Sequence, residues 1–510
     1  MDILYSSSCF SAFLLLILFF SLWLLKQYCK KSITQKQPPG PIKLPIVGNW
    51  YNEAFSLGHR SLRNLSMKYG PLIHLTLGEI SVLVVSSSMM AKEVMKTHDL
   101  SFVHRPELVM SFGRKDKDIS FSPYGDYWRQ MRKICTLELL SAKRVQSFSF
   151  IREDEVNKLI ESIQYSCAAS GSLLINLSRK VYFMTSSITT RALFGKECEN
   201  HERFIELTKK IVQISKGFDL ADLFPSVKFI DSVSGMRPAL DKIRKEGNKI
   251  LEIIINEHQE KQIKMGAKRE NDEAGVHQED LVDVLLRLQQ SDDLEAPITI
   301  ENIKALIWEM YGGGTDLSSI AVEWAMSELM RNPRAREKAQ AEIREALEGQ
   351  KIIKETDLEK LHYLKSVIKE TLRLHPPIPI LIPRECRESC TINGYDIPKN
   401  TKVIVNAWAI GRDPSYWDNA ECFVPERFDL SPLNFRVASF EYIPFGAGRR
   451  MCPGILYGLA NIELALAQLL YHFNWELPNG MKPMDLDMIE ANSATVGRKN
   501  QLCLIATPYK

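Results

Sequence analysis

One cysteine occupies a part of the sequence that is both stiff and positively charged. Residues 444–454 read PFGAGRRMCPG, in which Cys452 is surrounded by three glycines, two prolines and two adjacent arginines. The thiolate, not the thiol, is the form of cysteine that attacks a substrate or binds a metal, and neighbouring arginines favour the thiolate. The segment is therefore the first candidate for chemistry, and an inert buried thiol is the alternative interpretation.

The other cysteines give weaker signals. Cys386 and Cys390 form a lone C-x3-C pair with no second pair, which is poor support for a zinc site. The ten cysteines follow no repeating spacing, and a chain of 510 residues does not need disulfides to fold. The cysteine content therefore indicates a reducing compartment.

A run of three glycines interrupts the longest periodic segment. Residues 299–333 carry apolar side chains at helical spacing, with Thr299 as a predicted N-cap. The glycines at 312–314 lie in its middle, where each costs about 1 kcal/mol relative to alanine. We therefore predict one long helix whose backbone something must approach closely. A loop between two shorter helices is the alternative.

Several charged residues have spacings that suggest partners. Glu370 and Arg373 are three residues apart on a helical pattern, which puts the two side chains on one face, although such a pair is usually a surface salt bridge. Residues 425–428 read PERF, and Trp128 and Arg132 lie in a second predicted helix. Each signal is weak alone and gains meaning only from the others.

The elements that must position these residues are mostly helical. The chain has 45% hydrophobic and 25% charged residues, which suits a large globular core, and its net charge of +3 gives no case for nucleic acid as a partner. Residues 72–85 alternate as two short strands that turn near Gly78 and Glu79. Length alone suggests about three domains of roughly 150 residues each.

The N-terminus carries a compartment signal. Residues 9–25 are almost entirely apolar and lysines follow directly, which predicts a membrane anchor over 1–31 with the rest of the chain in the cytosol. A cleaved signal peptide is the competing interpretation, but no basic segment precedes the apolar run and no small-residue cleavage site follows it. The basic, proline-rich residues 32–45 then predict a stiff hinge.

Taken in order, these features resemble one family, the cytochromes P450, and within it the plant microsomal A-type enzymes of specialised metabolism. The signature F-x-x-G-x-R-x-C-x-G is present at residues 445–454. The resemblance implies a mainly α fold with small β-sheets after one N-terminal transmembrane helix. It also implies one haem-thiolate catalytic domain over 46–510, with haem b bound through the axial thiolate of Cys452, which favours cleavage of the O–O bond of dioxygen.

The resemblance assigns further roles around the haem. Phe445 would lie beside the sulfur, while Gly446 and Gly454 would let backbone amides turn towards it, with Gly454 at the start of a helix. Cationic and indole side chains would pair with the haem propionates; these are Trp128, Arg132, Arg384 and Arg450.

Further implied roles lie away from the cysteine segment. Glu370, Arg373 and Arg427 would form a buried charge network that retains haem. Gly313 and Gly314 on the long helix would admit dioxygen, and Asp316 would assist proton delivery; these residues and Leu317 are the catalytic candidates. The family pattern has threonine where this chain has Leu317, whose side chain cannot donate a hydrogen bond.

The implied function is that of a haem-thiolate oxidase or monooxygenase of the endoplasmic reticulum membrane. Its substrate would be a small lipophilic terpenoid or terpenoid-derived alkaloid. Electrons would come from NADPH-cytochrome P450 reductase, because the chain has no nicotinamide or flavin fingerprint. Leu317 suggests oxidative cyclisation, coupling or dehydrogenation; an ordinary terpenoid hydroxylase and a non-catalytic haem-binding or scaffold protein are the alternatives. Substrate contacts are expected at 104–122, Leu306, Met310, Gly313, 378–382 and 493–496, each of which could equally be core.

Overall fold

Helices predominate over strands among the described residues of the structure, which is a computed structural model. It describes residues 18–19, 21, 36–49, 58–111, 117–170, 174–196, 201–215, 217–230, 234–269, 279–291, 294–350, 353–429, 433, 435 and 439–509. Of the predicted anchor (1–31), only three residues lie within these ranges. The first four residues of the predicted hinge lie outside them. Within them, no helix has both the length and the apolar character needed to cross a bilayer.

The α-helices have the following bounds: α1 (Gly58–Tyr69), α2 (Ser88–Lys92), α3 (Asp126–Ile134), α4 (Ala142–Ser147), α5 (Ser149–Ser170), α6 (Leu177–Phe194), α7 (His201–Ile214), α8 (Leu220–Leu223), α9 (Met236–Arg269), α10 (Leu281–Gln289), α11 (Ile300–Arg331), α12 (Pro333–Ala346), α13 (His362–Leu374), α14 (Ala407–Ile410) and α15 (Ile455–His472). Short π-helical turns follow α2 and α3, at Glu93–Thr97 and Cys135–Leu139. Short 3-10 turns include Val109–Ser111, Glu355–Lys360, Pro425–Phe428 and Gly448–Arg450.

The strands form three small sheets. They are β1 (Leu72–Leu77), β2 (Ile80–Val85), β3 (Leu174–Asn176), β4 (Arg384–Glu385), β5 (Cys390–Ile392), β6 (Tyr395–Ile397), β7 (Lys402–Val405), β8 (Phe473–Glu476) and β9 (Cys503–Pro508). The sheet orders are β1-β2-β7-β4, β3-β9-β8 and β5-β6. The predicted hairpin over 72–85 is confirmed: β1 and β2 pair antiparallel, with Leu77 opposite Ile80 and Gly78 at a φ of +59° in the turn.

The long helix α11 is continuous through the three glycines. It has 32 residues, which gives a length of about 50 Å at 1.5 Å per residue. The predicted N-cap is confirmed, because the Thr299 side chain accepts a hydrogen bond from the Asn302 backbone N–H at 3.2 Å. The alternative of a loop between two shorter helices is wrong, since packing on both sides of α11 offsets the low helix propensity of glycine.

The core surrounds α11. One continuous cluster of buried apolar side chains runs along the chain from Met131 to Ala506 and includes residues of α5, α6, α11, α13 and α15. Helix α6 packs along α11 on one side, and α15 packs on another. This arrangement fixes α11 relative to the cysteine segment, which directly precedes α15.

Candidate active site

Cys452 faces an internal cavity of about 270 Å³. Its backbone N–H donates to the carbonyl of Phe445 at 3.0 Å, which closes the segment into a loop before Gly454, the N-cap residue of α15. Phe445 lines the same cavity and meets Phe435 edge-on at 5.1 Å between ring centroids. Burial raises the pKa of the Cys452 thiol, and the Gly454 backbone N–H and Arg132 oppose this effect.

Two glycines of the segment are required by the backbone. Gly446 and Gly448 both have a φ of +70°, a conformation that side-chain-bearing residues rarely adopt. A Cβ atom on Gly448 would lie 2.2 Å from the carbonyl oxygen of Met95. The glycine spacing that marked this segment in the sequence therefore has a local structural cause, and Gly446 itself lines the cavity.

The glycines of α11 have different surroundings. A Cβ on Gly313 would meet no atom within 4 Å, so this position is open, and Gly313 lines the cavity. A Cβ on Gly314 would lie 3.0 Å from both Thr189 Oγ1 and a ring carbon of Tyr457. Gly314 thus permits close packing of α6 and α15 on α11, a role that the sequence did not indicate.

Leu317 and Asp316 occupy different environments. Leu317 lines the cavity together with its neighbour Ser318, whereas Asp316 is not among the lining residues. Burial raises the pKa of Asp316, while the nearby Thr495 and Lys209 oppose the shift. Its Oδ2 atom is buried and has no hydrogen-bond partner among the described residues. Asp316, the candidate for proton delivery, therefore does not contact the cavity that Leu317 lines.

Four arginines line one side of the cavity: Arg105, Arg132, Arg384 and Arg450. Arg450 donates to the carbonyls of Val103, Ile119 and Ser122 at 2.9, 3.0 and 2.7 Å. Its guanidinium also lies 4.3 Å from the centroid of the Trp128 ring.

Two of the other three predicted propionate-binding side chains, Arg384 and Trp128, also have protein groups as partners. Arg384 donates to Asp99 Oδ1 at 3.0 Å and to the carbonyl of Ala447 at 2.7 Å. The Trp128 indole N–H donates to the carbonyl of Ile119 at 2.9 Å. Backbone carbonyls thus account for most of the hydrogen bonds that hold these predicted residues.

Arg132 differs from the other three arginines. Within the described part of the chain its guanidinium makes no hydrogen bond and no ion pair. Burial lowers the pKa of all four arginines, to about 9 for Arg450, where the neighbouring Arg384 adds to the effect. A buried cluster of cations with one unpaired member fits a ligand that carries carboxylates. With the thiol of Cys452 facing the same cavity, these residues fit the haem that the resemblance implies.

The three residues of the predicted charge network meet in the structure. Arg373 donates from Nε and Nη2 to the two oxygens of Glu370 at 2.7 and 2.8 Å, and both side chains are fully buried. Arg427 Nε donates to Glu370 Oε1 at 3.0 Å. The interpretation of Glu370 and Arg373 as a surface salt bridge is therefore wrong, because helix α13 turns both inward.

Three of the four groups of expected substrate contacts include residues that line the cavity. Arg105, Ile119 and Ser120 do so from the loop 104–122, of which 112–116 lie outside the described residues. The other lining residues among the expected contacts are Leu306, Met310, Gly313, Ile378, Leu381 and Ile382. Residues 493–496 do not line it: the Val496 N–H donates to the carbonyl of Pro377 at 2.8 Å, so this segment lies behind the wall.

Sequence reasoning missed residues whose role depends on distant contacts. Arg105 is the clearest, since it donates to the carbonyls of Ser120, Ile382 and Pro383 and joins two walls of the cavity. Glu309 also lines the cavity, where it accepts a hydrogen bond from the Ile119 N–H at 3.0 Å. No spacing or motif in the sequence distinguishes either residue from a surface charge.

Comparison with known proteins gives matches over nearly the whole chain. The family model for Cytochrome P450 matches residues 38–504. Cytochrome P450 71D8 of Glycine max is 55% identical over 96% of each chain. Premnaspirodiene oxygenase of Hyoscyamus muticus is 51% identical over 97% of this chain and 98% of its own. A solved zebra fish cytochrome P450 with abiraterone has a TM-score of 0.72 at 25% identity, covering 89% of this chain and all of that one.

Proposed function

The chain belongs to the cytochrome P450 family, as a plant A-type member of specialised metabolism with haem-thiolate iron as its cofactor, and from this premise we propose that it oxygenates a small apolar terpenoid. The observation that carries the proposal is the composition of the apolar part of the cavity wall. It is built from aliphatic side chains: Leu306, Met310, Ala321, Ile378, Leu381 and Ile382. Such a wall favours a hydrocarbon ligand, because burial of apolar surface contributes about 25 cal/mol per Å².

Different residues of the chain would have different roles around the haem. Bound haem supplies the reductive activation of dioxygen and the transfer of one oxygen atom to a C–H bond, with electrons from a reductase. Cys452 would hold the iron, and Phe445 would cover the sulfur and restrict water. Arg132, with Arg384, Arg450 and Trp128, would bind the propionates. Gly313 would leave room for a small molecule beside the helix backbone, and Asp316 would assist proton delivery from behind the wall.

Turnover tests the proposal directly. The protein would be reconstituted with NADPH-cytochrome P450 reductase, which we propose docks on the basic face on the Cys452 side of the haem. It would be offered a panel of sesquiterpene hydrocarbons that includes premnaspirodiene. We expect NADPH-dependent monooxygenated products by gas chromatography and mass spectrometry. Turnover restricted to charged or strongly polar substrates would contradict the proposal.

Arg132→Gln tests the assignment of the unpaired guanidinium. A hydrogen bond to a charged group contributes about 1.5–3 kcal/mol, so we expect haem to be lost at least about 10-fold faster. The measurement is transfer of haem to excess apomyoglobin. Lys133→Gln, on the exposed residue next along α3, is the matched control and should retain the normal rate. Equal rates of haem transfer in the two variants would show that Arg132 does not bind a propionate.

A second candidate reaction is favoured by Leu317. Hydroxylation requires delivery of protons to the part of the cavity where dioxygen would bind. The isobutyl group of Leu317 has no proton to donate. A substrate with its own N–H or O–H, such as a terpenoid-derived alkaloid, would supply the missing donor and could lose two hydrogens instead. That reaction consumes the same dioxygen and NADPH but yields two waters, whereas hydroxylation yields one water and leaves an oxygen atom in the product. Cyclisation, coupling or dehydrogenation would then result.

Labelled dioxygen with a Leu317→Thr variant distinguishes the two reactions. If hydrogen removal is the native reaction, its main product carries no label, and we expect the threonine hydroxyl to increase labelled by-products and the yield of product per NADPH. Leu317→Val, which is nearly isosteric with the threonine variant but adds no hydroxyl, is the control. Stoichiometric label in the native product, with neither rate nor yield changed by Leu317→Thr, would contradict hydrogen removal. Only the hydroxylase proposal would then remain.

We also propose that residues 1–31 anchor the protein in the endoplasmic reticulum membrane, with 32–45 as a hinge and the catalytic domain in the cytosol. The support is the apolar run followed by lysines. Deleting residues 1–30 should weaken sedimentation with microsomes severalfold while the protein still incorporates haem, because the hinge separates anchor and domain. Protection of the catalytic domain of the full-length protein from protease in intact microsomes would place this domain in the lumen and contradict the proposed orientation.

A further inference from the structure

Three buried side chains that could bind a metal meet away from the haem cavity. His258 on α9 and Asp280 and Asp283 at the start of α10 place their ligand atoms within 4.8 Å of one another. The exposed fractions of the three residues are 4%, 4% and 6%. None of them lines the cavity, although Leu281, next to Asp280, does. The proposed oxygenation does not use this cluster.

The protons of His258 are constrained by its surroundings. Its Nδ1 atom lies 2.7 Å from the carbonyl oxygen of Ile254, which only accepts hydrogen bonds, so Nδ1 carries a proton. Its Nε2 atom then faces Asp280 Oδ2 at 2.9 Å. Such an imidazole, held by a backbone carbonyl through one nitrogen and directed at carboxylates through the other, is the usual arrangement of a metal-binding histidine.

The contact between Nε2 and Asp280 needs a positive charge. A neutral imidazole would point a lone pair at the carboxylate, so either a proton or a cation must lie between the two atoms. Two ligands bound to one tetrahedral ion at about 2.0–2.2 Å are themselves about 3.3–3.6 Å apart. The separation in the structure is that of a shared proton, so a metal ion that replaced this proton would move the two ligand atoms apart by about 0.5 Å.

The charges of the cluster favour the metal ion. Asp280 Oδ1 accepts a hydrogen bond from the Asp283 N–H at 2.8 Å, and among the described residues the Asp283 carboxyl group has no side-chain donor. The cluster thus places two carboxyl groups beside one imidazole at a buried position. A divalent cation with a neutral imidazole balances both carboxylates.

The end of α6 closes the cluster on another side. A Cβ atom on Gly195, the C-cap residue of α6, would lie 2.7 Å from Asp280 Oδ2, so the backbone approaches this carboxylate closely. The C-terminal end of a helix carries a partial negative charge, which is favourable beside a cation and unfavourable beside a carboxylate alone. The start of α10, where Asp280 is the N-cap, carries the opposite partial charge, so the two helix ends offset each other at the cluster.

We propose that His258, Asp280 and Asp283 bind one divalent metal ion, and that Zn²⁺ is the best match to one imidazole and two carboxylates. Three protein ligands leave a fourth tetrahedral position for water. The ion would hold α9 against the start of α10. It would thereby support the part of the cavity wall that Leu281 forms.

Zinc titration of the haem-loaded full-length protein tests this proposal. The protein would carry no polyhistidine tag, and it would be dialysed against chelator before calorimetry and elemental analysis. We expect one Zn²⁺ per chain, with at least 10-fold weaker binding in Asp283→Asn. Asp241→Asn, on the exposed side of the same helix α9, is the matched control and should bind normally. Absence of stoichiometric zinc, or equal affinity in the two variants, would overturn the proposal.

X-ray absorption at the zinc edge gives a test that needs no variant. We expect only nitrogen and oxygen ligands, including one imidazole, in the loaded wild-type protein. Sulfur ligands would assign the zinc to cysteines such as Cys386 and Cys390 and would overturn the proposal. Release of a proton on zinc binding, measured from the buffer dependence of the binding enthalpy, is expected if the metal-free cluster holds His258 as imidazolium.

Discussion

Replacing Cys452 with alanine is expected to abolish the red-shifted Soret band of the reduced, CO-bound protein and all NADPH-dependent turnover. The band reports thiolate ligation of haem iron, and Cys452 is the cysteine whose segment matches the family signature at residues 445–454. Alanine has no atom that can bind iron. Haem that remained in the cavity would therefore lack the ligand on which both the spectrum and oxygen activation depend.

Cys135→Ala is the matched control for this prediction. Cys135 also lines the cavity and is fully buried, and burial raises the pKa of its thiol to about 12. Cys135 lies in the π-helical turn after α3, outside the segment that matches the signature, so its replacement removes no expected iron ligand. The control variant should keep the band, while persistence of the band in Cys452→Ala would show that the ligand has been assigned to the wrong residue.

Glu370→Gln is expected to have the largest effect on folding. The Glu370 carboxylate accepts hydrogen bonds from Arg373, from Arg427 and, at 2.8 Å, from the Val424 backbone N–H. Removing one partner of a buried ion pair costs about 3–5 kcal/mol, because the remaining charge is buried without compensation. Since domains are stable by only about 5–15 kcal/mol, we expect low haem incorporation and a much lower urea midpoint for loss of the Soret band.

The neighbouring carboxylate of Glu426 provides the control. Its side chain is 36% exposed and pairs with Lys338 at 3.2 Å, so water can replace the lost interaction. We expect Glu426→Gln to change the free energy of unfolding by less than about 1 kcal/mol. If the two variants lost equal stability, burial of the Glu370 network would not be the cause of its effect.

The Leu317 substitution is visible in the sequence, but its surroundings are not. The pattern around residues 313–318 identifies the departure from the family, and only the structure shows that Leu317 and Ser318 line the cavity while Asp316 does not. Neighbouring positions on a helix point about 100° apart, so their environments depend on which helices pack on each side.

Local patterns predicted the main elements and the candidate thiol ligand. The glycine positions at 446 and 448 follow from backbone conformation within a few residues, as does the turn of the β1–β2 hairpin at Gly78. Helix α11 was predicted from its periodicity and from the cap at Thr299, both of which are properties of consecutive residues. These features were predictable because their causes lie close together in the chain.

The tertiary structure alone decided which distant side chains share a site. Arg105 reaches carbonyls more than 270 residues away, at 382 and 383, and Gly314 is required by Thr189 and Tyr457 from two other helices. The cluster of His258 and Asp280 likewise forms only because α9 packs against α10. Sequence spacing carries no information about such contacts, since they are fixed by how the faces of separate helices pack in three dimensions.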